Sequence, residues 1–502
     1  MGIFLSKREL EQVEPAENAF DSPVPTTMIS NGEFNPLPQS ENQKKVEARV
    51  KELADHHGTR QGLSRREFLR TSSGMAAAFL AMNEVFGNLF SVSETEAADH
   101  GAANDRAKAL RDQFIFDVQT HFVHDGYTQE GILGLAGFAK ENWNPALANV
   151  ADMSIYKFEN YVRQVFLNSD TKVALLSGAP FDDSSWEFLT NDAIKEAVKM
   201  VNKVAGSRRM LGHSVVTPGQ PGWMDKADHA IEDLKPDSWK MYTIGDPLSA
   251  KTKYPWRLDD EKLVYPFYEK AVKAGINTIC IHKGLMPADY EESWKGVWRY
   301  NTPWDIGQAA KDWPQINFVI YHGGLRAFLE SPEADLAKFE STGEILWASE
   351  LARIPEKYGV NNVYAEMGTS FANSATANPR FAAAVLGTWI KGLGDDHVVW
   401  GTDSVLYGSP HWQIEALRRL EIPKDMQRKH GFAPLGAADG VVKNKIFGLN
   451  SASLYSLPLT AETQQNMSED RFVQIKRDYE AAGGLHNLRD NVAHGYIAKR
   501  TA

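Results

Sequence analysis

The sequence predicts a (β/α)8 barrel flanked by a disordered N-terminal leader and a C-terminal helical extension. Three observations carry that expectation. From residue 111 onward, short apolar or β-branched runs alternate with helical patterns, as in repeated βα units. The alternation occurs eight times, the number that closes a barrel. Several of the runs end in His, Asp, Glu or Lys, the polar residues that such strands present at their C-terminal rim. An open doubly wound sheet would need a Gly-rich phosphate turn after an early strand, and none is present. The expected division is a polar leader over 1–60, a signal-like segment over 61–100, the barrel over 105–458 and the extension over 459–502.

In chain order, residues 1–60 are polar, lack periodic apolar positions and contain Pro15, Pro23, Pro25, Pro36 and Pro38, which reads as disorder. Next come Ser64-Arg-Arg-Glu-Phe-Leu-Arg70, the apolar run Met75 to Met82, and Ala97-Ala98. This segment resembles a twin-arginine export signal, which implies a periplasmic or exported protein; an amphipathic helix in a cytoplasmic protein is the alternative. Glu84 and the length of the leader count against export.

The eight expected strands are Phe114 to Gln119, Lys172 to Ser177, Met210 to Val216, Ser238 to Tyr242, Asn277 to His282, Asn317 to His322, Asn362 to Glu366 and His397 to Thr402. The helices between and after them are expected near 155–168, 189–204, 224–234, 259–274, 303–312, 344–357, 376–391 and 411–421. Further helical patterns at 436–456 and 460–482 can pad the barrel or form a homo-oligomer contact.

Bulk properties narrow the function. A chain of 502 residues with 43% hydrophobic content can bury a large core, and a net charge of −11 argues against a nucleic-acid or anionic-membrane partner. The lone Cys280 excludes an intrachain disulfide and cysteine-rich metal sites, and is itself expected to be a buried, inert thiol. A metal would therefore be held by His, Asp, Glu or a modified Lys. After the first hundred residues no apolar run is long enough to span a membrane, so none is expected to be engaged after export.

The strand ends supply the candidate site: Gln119 and His121, Lys240 and Tyr242, His282, His322, Glu366 and Asp403. Asp117, Gln119 and His121 alternate along the first strand and are expected to share one face. Three histidines and a carboxylate from different strands suit a divalent cation, zinc in the first place, with manganese or iron as alternatives. Such a cation activates water, and Asp403 either ligates it or takes the proton, with His322 as a further ligand or an orienting group.

These motifs, Asp117-Val-Gln-Thr-His121, Ile281-His282, Tyr321-His322-Gly-Gly324 and Trp400-Gly-Thr-Asp403-Ser404, resemble the amidohydrolase superfamily, in the amidohydrolase-related branch that includes metal-dependent decarboxylases. The resemblance covers residues 111–455. It implies His121, His282 and Asp403 as metal-site residues with His322 beside them. It also implies a histidine where this chain has Gln119, an amide and weaker ligand. In binuclear members a carbamylated lysine bridges two metals; here Lys240, a candidate catalytic residue, either does so, binds a substrate carboxylate or pairs with a nearby acid.

Two rim loops, 124–151 and 283–304, are rich in aromatic residues, among them Trp298, and suggest a small organic substrate with an apolar body. Arg326 is expected to meet a substrate carboxylate, with Tyr242 and Trp298 as further substrate contacts. The expected activity is metal-dependent hydrolysis of an amide, ester or lactone. The alternatives are decarboxylation at the same site, oxygen activation at non-haem iron, and a non-catalytic binding protein with a degenerate site.

Overall fold

Eight parallel strands wind into a barrel, β2 (Phe116–Thr120), β3 (Val173–Leu176), β4 (Met210–Val215), β5 (Ser238–Tyr242), β6 (Thr278–His282), β7 (Asn317–Tyr321), β8 (Val363–Glu366) and β9 (Val398–Val399), each paired with the next. A short β1 (Ile29–Ser30) precedes them and pairs antiparallel with β10 (Ile497–Ala498). The computed structural model describes residues 22–128, 133–143, 152–326, 330–484 and 497–499.

Closure between β9 and β2 runs through Val118 N to Trp400 O at 3.0 Å, Asp403 N to Gln119 O at 2.9 Å and Val405 N to His121 O at 3.0 Å. The last strand is shorter than the sequence suggests. Asp117 reaches across the seam, accepting from Thr402 N at 3.1 Å and from the Thr402 hydroxyl, so residues 400–404 are held by side-chain bonds as well as a ladder.

Period-two alternation decides what each strand sends inward. Cys280, Val319, Tyr321 and Val399 line the barrel interior, while Ile279, Ile281, Phe318 and Ile320 join the layer packed against the outer helices. That parity carries His282 inward with Cys280.

The outer helices follow the expected pattern. Asn191–Ala205 is capped by Thr190, buries Ile194, Ala197, Val201 and Ala205 at helical spacing, and ends at Gly206 in a left-handed conformation, φ 80°. An additional helix, Gly368–Ala377, follows β8 and is buried along its whole length. The C-terminal extension contains Ala461–Glu469 and Arg471–Ala481, clamped to the wall by Arg209, whose Nε lies 2.6 Å from Asp470.

The N-terminal region departs from expectation. Within the leader, residues 1–21 lie outside the described residues, but residues 22–60 are folded. Val24, Met28, Ile29 and Phe34 are buried, and Glu41–Arg60 is a 20-residue helix opened by a Ser40–Gln43 capping box. The overall polarity conceals these scattered apolar anchors.

In the signal-like segment, Ser64 caps a helix Arg65–Leu69, Arg65 pairs with Asp55 at 2.6 Å, and the apolar run lies within a buried helix, Ser72–Phe86. Phe90 bridges to Leu420, and Arg419 meets Glu96 at 2.8 Å, joining this segment to the barrel wall. Among the described residues no helix is long and apolar enough to cross a membrane.

Candidate metal centre

At the C-terminal rim the strand-end residues form one continuous polar chain. His121 donates from Nδ1 to the Ser177 carbonyl at 2.8 Å, which fixes that proton, and turns Nε2 toward Asp403 Oδ1 at 3.1 Å. Gln119 Nε2 donates to the same Oδ1 at 3.2 Å and lies 3.5 Å from His322 Nε2. The His322 and His282 rings meet edge to face with centroids 4.5 Å apart.

The backbone is shaped for this convergence. His322 and Asp403 both adopt positive φ, 64° and 61°, in the left-handed region that non-glycine residues rarely occupy. Glu366 secures one of them, accepting from His322 N at 3.0 Å and from Gly368 N at 2.6 Å. Two glycines make room. A Cβ at Gly401 would lie 1.9 Å from Glu366 Oε1, and one at Gly368 would lie 2.7–2.9 Å from Gln119 Oε1, Glu366 Oε2 and His322 Nδ1.

Two residues from the N-terminal segment complete the cluster, and neither lies in a motif legible in the sequence. Asn31 Nδ2 donates to Asp403 Oδ2 and to Glu33 Oε2, both at 2.8 Å. Glu33 Oε2 lies 3.4 Å from His282 Nε2, and one donor atom each from Glu33, His282 and His322 fall within 4.8 Å of one another. The Glu33–His282 contact spans 249 residues of sequence, so no local pattern could announce it.

The electrostatics fit a cation. Burial favours neutral forms, and it pushes the His322 pKa down to about 3, leaving an uncharged ring with lone-pair capacity. Burial would raise Asp403 and Glu33. The hydrogen bond and charge of His121 nevertheless hold Asp403 well below the usual carboxylate range, and the charge of His282 holds Glu33 below it. Among the described residues neither carboxylate pairs with Lys or Arg. With a proton already on Nδ1, His121 can turn Nε2 to a carboxylate only by taking a second proton or by sharing a cation with it. Gln119 Oε1, His282 Nδ1 and His322 Nδ1 are buried with no hydrogen-bond partner. A divalent ion with bonds of about 2.0–2.2 Å needs donors within about 4.4 Å of one another, close to the spacing seen. Glu33, His282 and His322 therefore fit such an ion, with the His121–Asp403 pair at 3.1 Å beside them.

The remaining expected site residues fall into other roles. Glu366 lies beneath His322 as a strut, its pKa raised to about 8 by burial, rather than in the donor cluster. Lys240 is fully buried with Nζ 3.5 Å above the Tyr321 ring and no hydrogen-bond partner, and burial lowers its pKa to about 8. Tyr242 stacks on His282 with centroids 4.5 Å apart and supports that ring. Arg326 is not free to meet a substrate. It grips Glu291 at 2.9 and 2.7 Å and the carbonyls of Met286, Pro287 and Ala288, pinning the loop after β6. Trp298 packs against Trp304, with centroids 6.0 Å apart. Cys280 is buried, its thiol 3.2 Å from the Tyr455 hydroxyl. Of the first rim loop, residues 129–132 and 144–151 lie outside the described residues.

Barrel and donor set together define a (β/α)8 barrel with a candidate metal centre at its C-terminal rim. The profile of the Amidohydrolase family matches residues 117–457, and the chain belongs to that family. No curated protein matches the sequence. Among solved structures the chain is similar to an uncharacterized TIM-barrel protein from Bordetella bronchiseptica, at 14% identity over 68% of this chain and 98% of that one, TM-score 0.42. It is also similar to a dihydroxybenzoic acid decarboxylase from Polaromonas sp. JS666 with bound manganese and 2-nitroresorcinol, at 15% identity over 70% and 99%, TM-score 0.41. A putative 2-pyrone-4,6-dicarboxylic acid hydrolase from Pseudomonas putida matches at 14% identity over 69% and 99%, TM-score 0.35.

Proposed function

We propose that this protein is a metal-dependent hydrolase of a small organic substrate with an amide, ester or lactone bond. The observation that carries the reading is His121, oriented by the Ser177 carbonyl so that Nε2 confronts an ionised Asp403 within a cluster of buried imidazoles. When bound, a divalent cation supplies Lewis-acid polarisation and lowers the pKa of water near it. Zinc suits the mixed nitrogen and oxygen donors, and manganese is the alternative.

The chain's own groups supply the rest. Asp403 is ionised at neutral pH and accepts a proton at a carboxylate oxygen. His322, kept neutral by burial, retains one ring N–H that donates to an oxygen on which negative charge develops. Lys240 stands behind them, with Asp403 among the charges it faces, and adds positive potential to the floor of the site.

Decarboxylation is the second reading. One observation favours it: His121, His282, His322 and Asp403 are each no more than 2% exposed, so bulk water has little access to the reacting centre. A screen of esters, lactones, amides and aromatic carboxylates in ¹⁸O-labelled water separates the two. Hydrolysis places the label in the product, whereas release of carbon dioxide with unlabelled organic product assigns the decarboxylase.

A further inference from the structure

The segment that lies over the mouth of the site belongs to the leader that the sequence reads as disordered. Residues 22–39 run across the rim as a strap, and its anchorage is extensive. β1 pairs with β10, Gln39 N donates to Lys499 O at 3.2 Å, and Thr26 Oγ1 and Gln39 Nε2 both donate to Glu47 Oε2 at 2.9 Å. Four residues further on, within the helix it leads into, Gln43 Nε2 donates to Thr376 O at 3.0 Å and ties that helix to the barrel.

The tip of the strap is shaped to aim two side chains inward. Gly32, at φ 102°, makes a turn that an L side chain resists, and Ser30 Oγ accepts from Gly32 N at 3.1 Å while donating to Phe34 O at 2.6 Å. Asn31 Oδ1 accepts from Glu33 N at 3.0 Å. The result places a carboxylate oxygen 3.4 Å from His282 Nε2, with a His322 donor atom within 4.8 Å, and both imidazoles retain an unpartnered Nδ1.

The charge balance of the cluster explains why a carboxylate belongs there. Gln119 brings a neutral amide to the first strand, and its Nε2, facing Asp403, is a donor rather than a metal ligand. The strands therefore supply one carboxylate, Asp403, with imidazoles around it. Asn31 draws a second carboxylate within reach of the first through a single amide nitrogen, an arrangement that repels itself unless a cation lies between or beside the pair.

We infer that Glu33 is a metal ligand supplied by the N-terminal strap, completing with His282 and His322 the site that Gln119 leaves short of a donor. This rests on the metal-dependent reading above. Metal and strap are then linked: the cation holds the strap closed, and the strap's position sets the affinity for the cation.

The test uses the full chain, stripped with chelator and titrated calorimetrically with manganese(II) and with zinc(II), in the wild type, Glu33→Gln and His282→Ala. Melting temperature without metal serves as the fold control. The expected result is at least tenfold weaker binding of both ions by Glu33→Gln, with a metal-free melting temperature unchanged. The rise in melting temperature on adding either ion should also be smaller in the variant. Binding by Glu33→Gln within twofold of wild type, while His282→Ala loses it, would overturn the role of Glu33 and leave the metal-dependent reading standing. No binding by the wild type would overturn both. If Glu33→Gln does not fold, Glu33→Asp, which retains the charge with a shorter reach, is measured against the same two thresholds.

Discussion

The two ends of the barrel are both stoppered by chain from outside it, and they are stoppered in opposite ways. At the end where the strands begin, Tyr455, Leu454, Leu457 and Met467 pack against Phe116, Val118 and Cys280, and the tyrosine hydroxyl meets the Cys280 thiol. At the other end, Asn31 and Glu33 stand over imidazoles and a carboxylate. The first stopper gains free energy simply by leaving water. The second gathers like charges and unpartnered nitrogens, an arrangement that costs stability until something binds there. An apolar plug marks a structural end, and a polar plug marks a working one.

Three substitutions sharpen that contrast. The largest stability effect is expected at the apolar end, where Tyr455→Ala should lower unfolding free energy by about 3–5 kcal/mol through cavity formation. Its manganese affinity should stay within twofold of wild type; coupled loss of both would blur the distinction between the ends.

The wall between the ends should respond to acid. Glu415 is buried, which alone would raise its pKa, but Arg419 and Arg418 at 3.2 and 2.9 Å lower it to about 2 from an ordinary 4.5. Because the folded value is depressed, the stabilisation is complete above about pH 4.5 and is lost as pH falls toward 2. That is about 3 kcal/mol. Urea unfolding of the wild type from pH 6 to pH 2 should show this loss, and Glu415→Gln should show less of it. Equal slopes would remove Glu415 from the account.

The smallest of the three effects is expected at Arg326. Arg326→Met should cost about 2 kcal/mol, the scale of hydrogen bonds to a charged group, by freeing the loop that Glu291 and three carbonyls secure. KM for a carboxylate-bearing substrate found in the screen should change less than twofold. A tenfold rise in KM would restore Arg326 as a substrate contact.

What could be read from the sequence follows the reach of each signal. Strand runs such as Thr278–His282 and helices such as Asn191–Ala205 are written in local periodicity, and the family motifs lie at strand ends for the same reason. Asn31 is joined to Asp403 across 372 residues, a contact that composition cannot foretell, and the prolines around it read as disorder. The apolar anchors Val24, Met28, Ile29 and Phe34 were visible but too irregular to signal a strand or helix. Arg326 obeys the same rule: its position after His322 locates it at the rim, and only the loop returning from β6 shows that its guanidinium is engaged there by Glu291 and backbone carbonyls.

The most direct test of the central claim is elemental analysis of the purified full chain beside His282→Ala. The expected result is near-stoichiometric zinc or manganese in the wild type and its loss in the variant. A wild-type protein that binds neither ion after incubation, or a His282→Ala protein that retains the full complement, would contradict a metal centre at this rim.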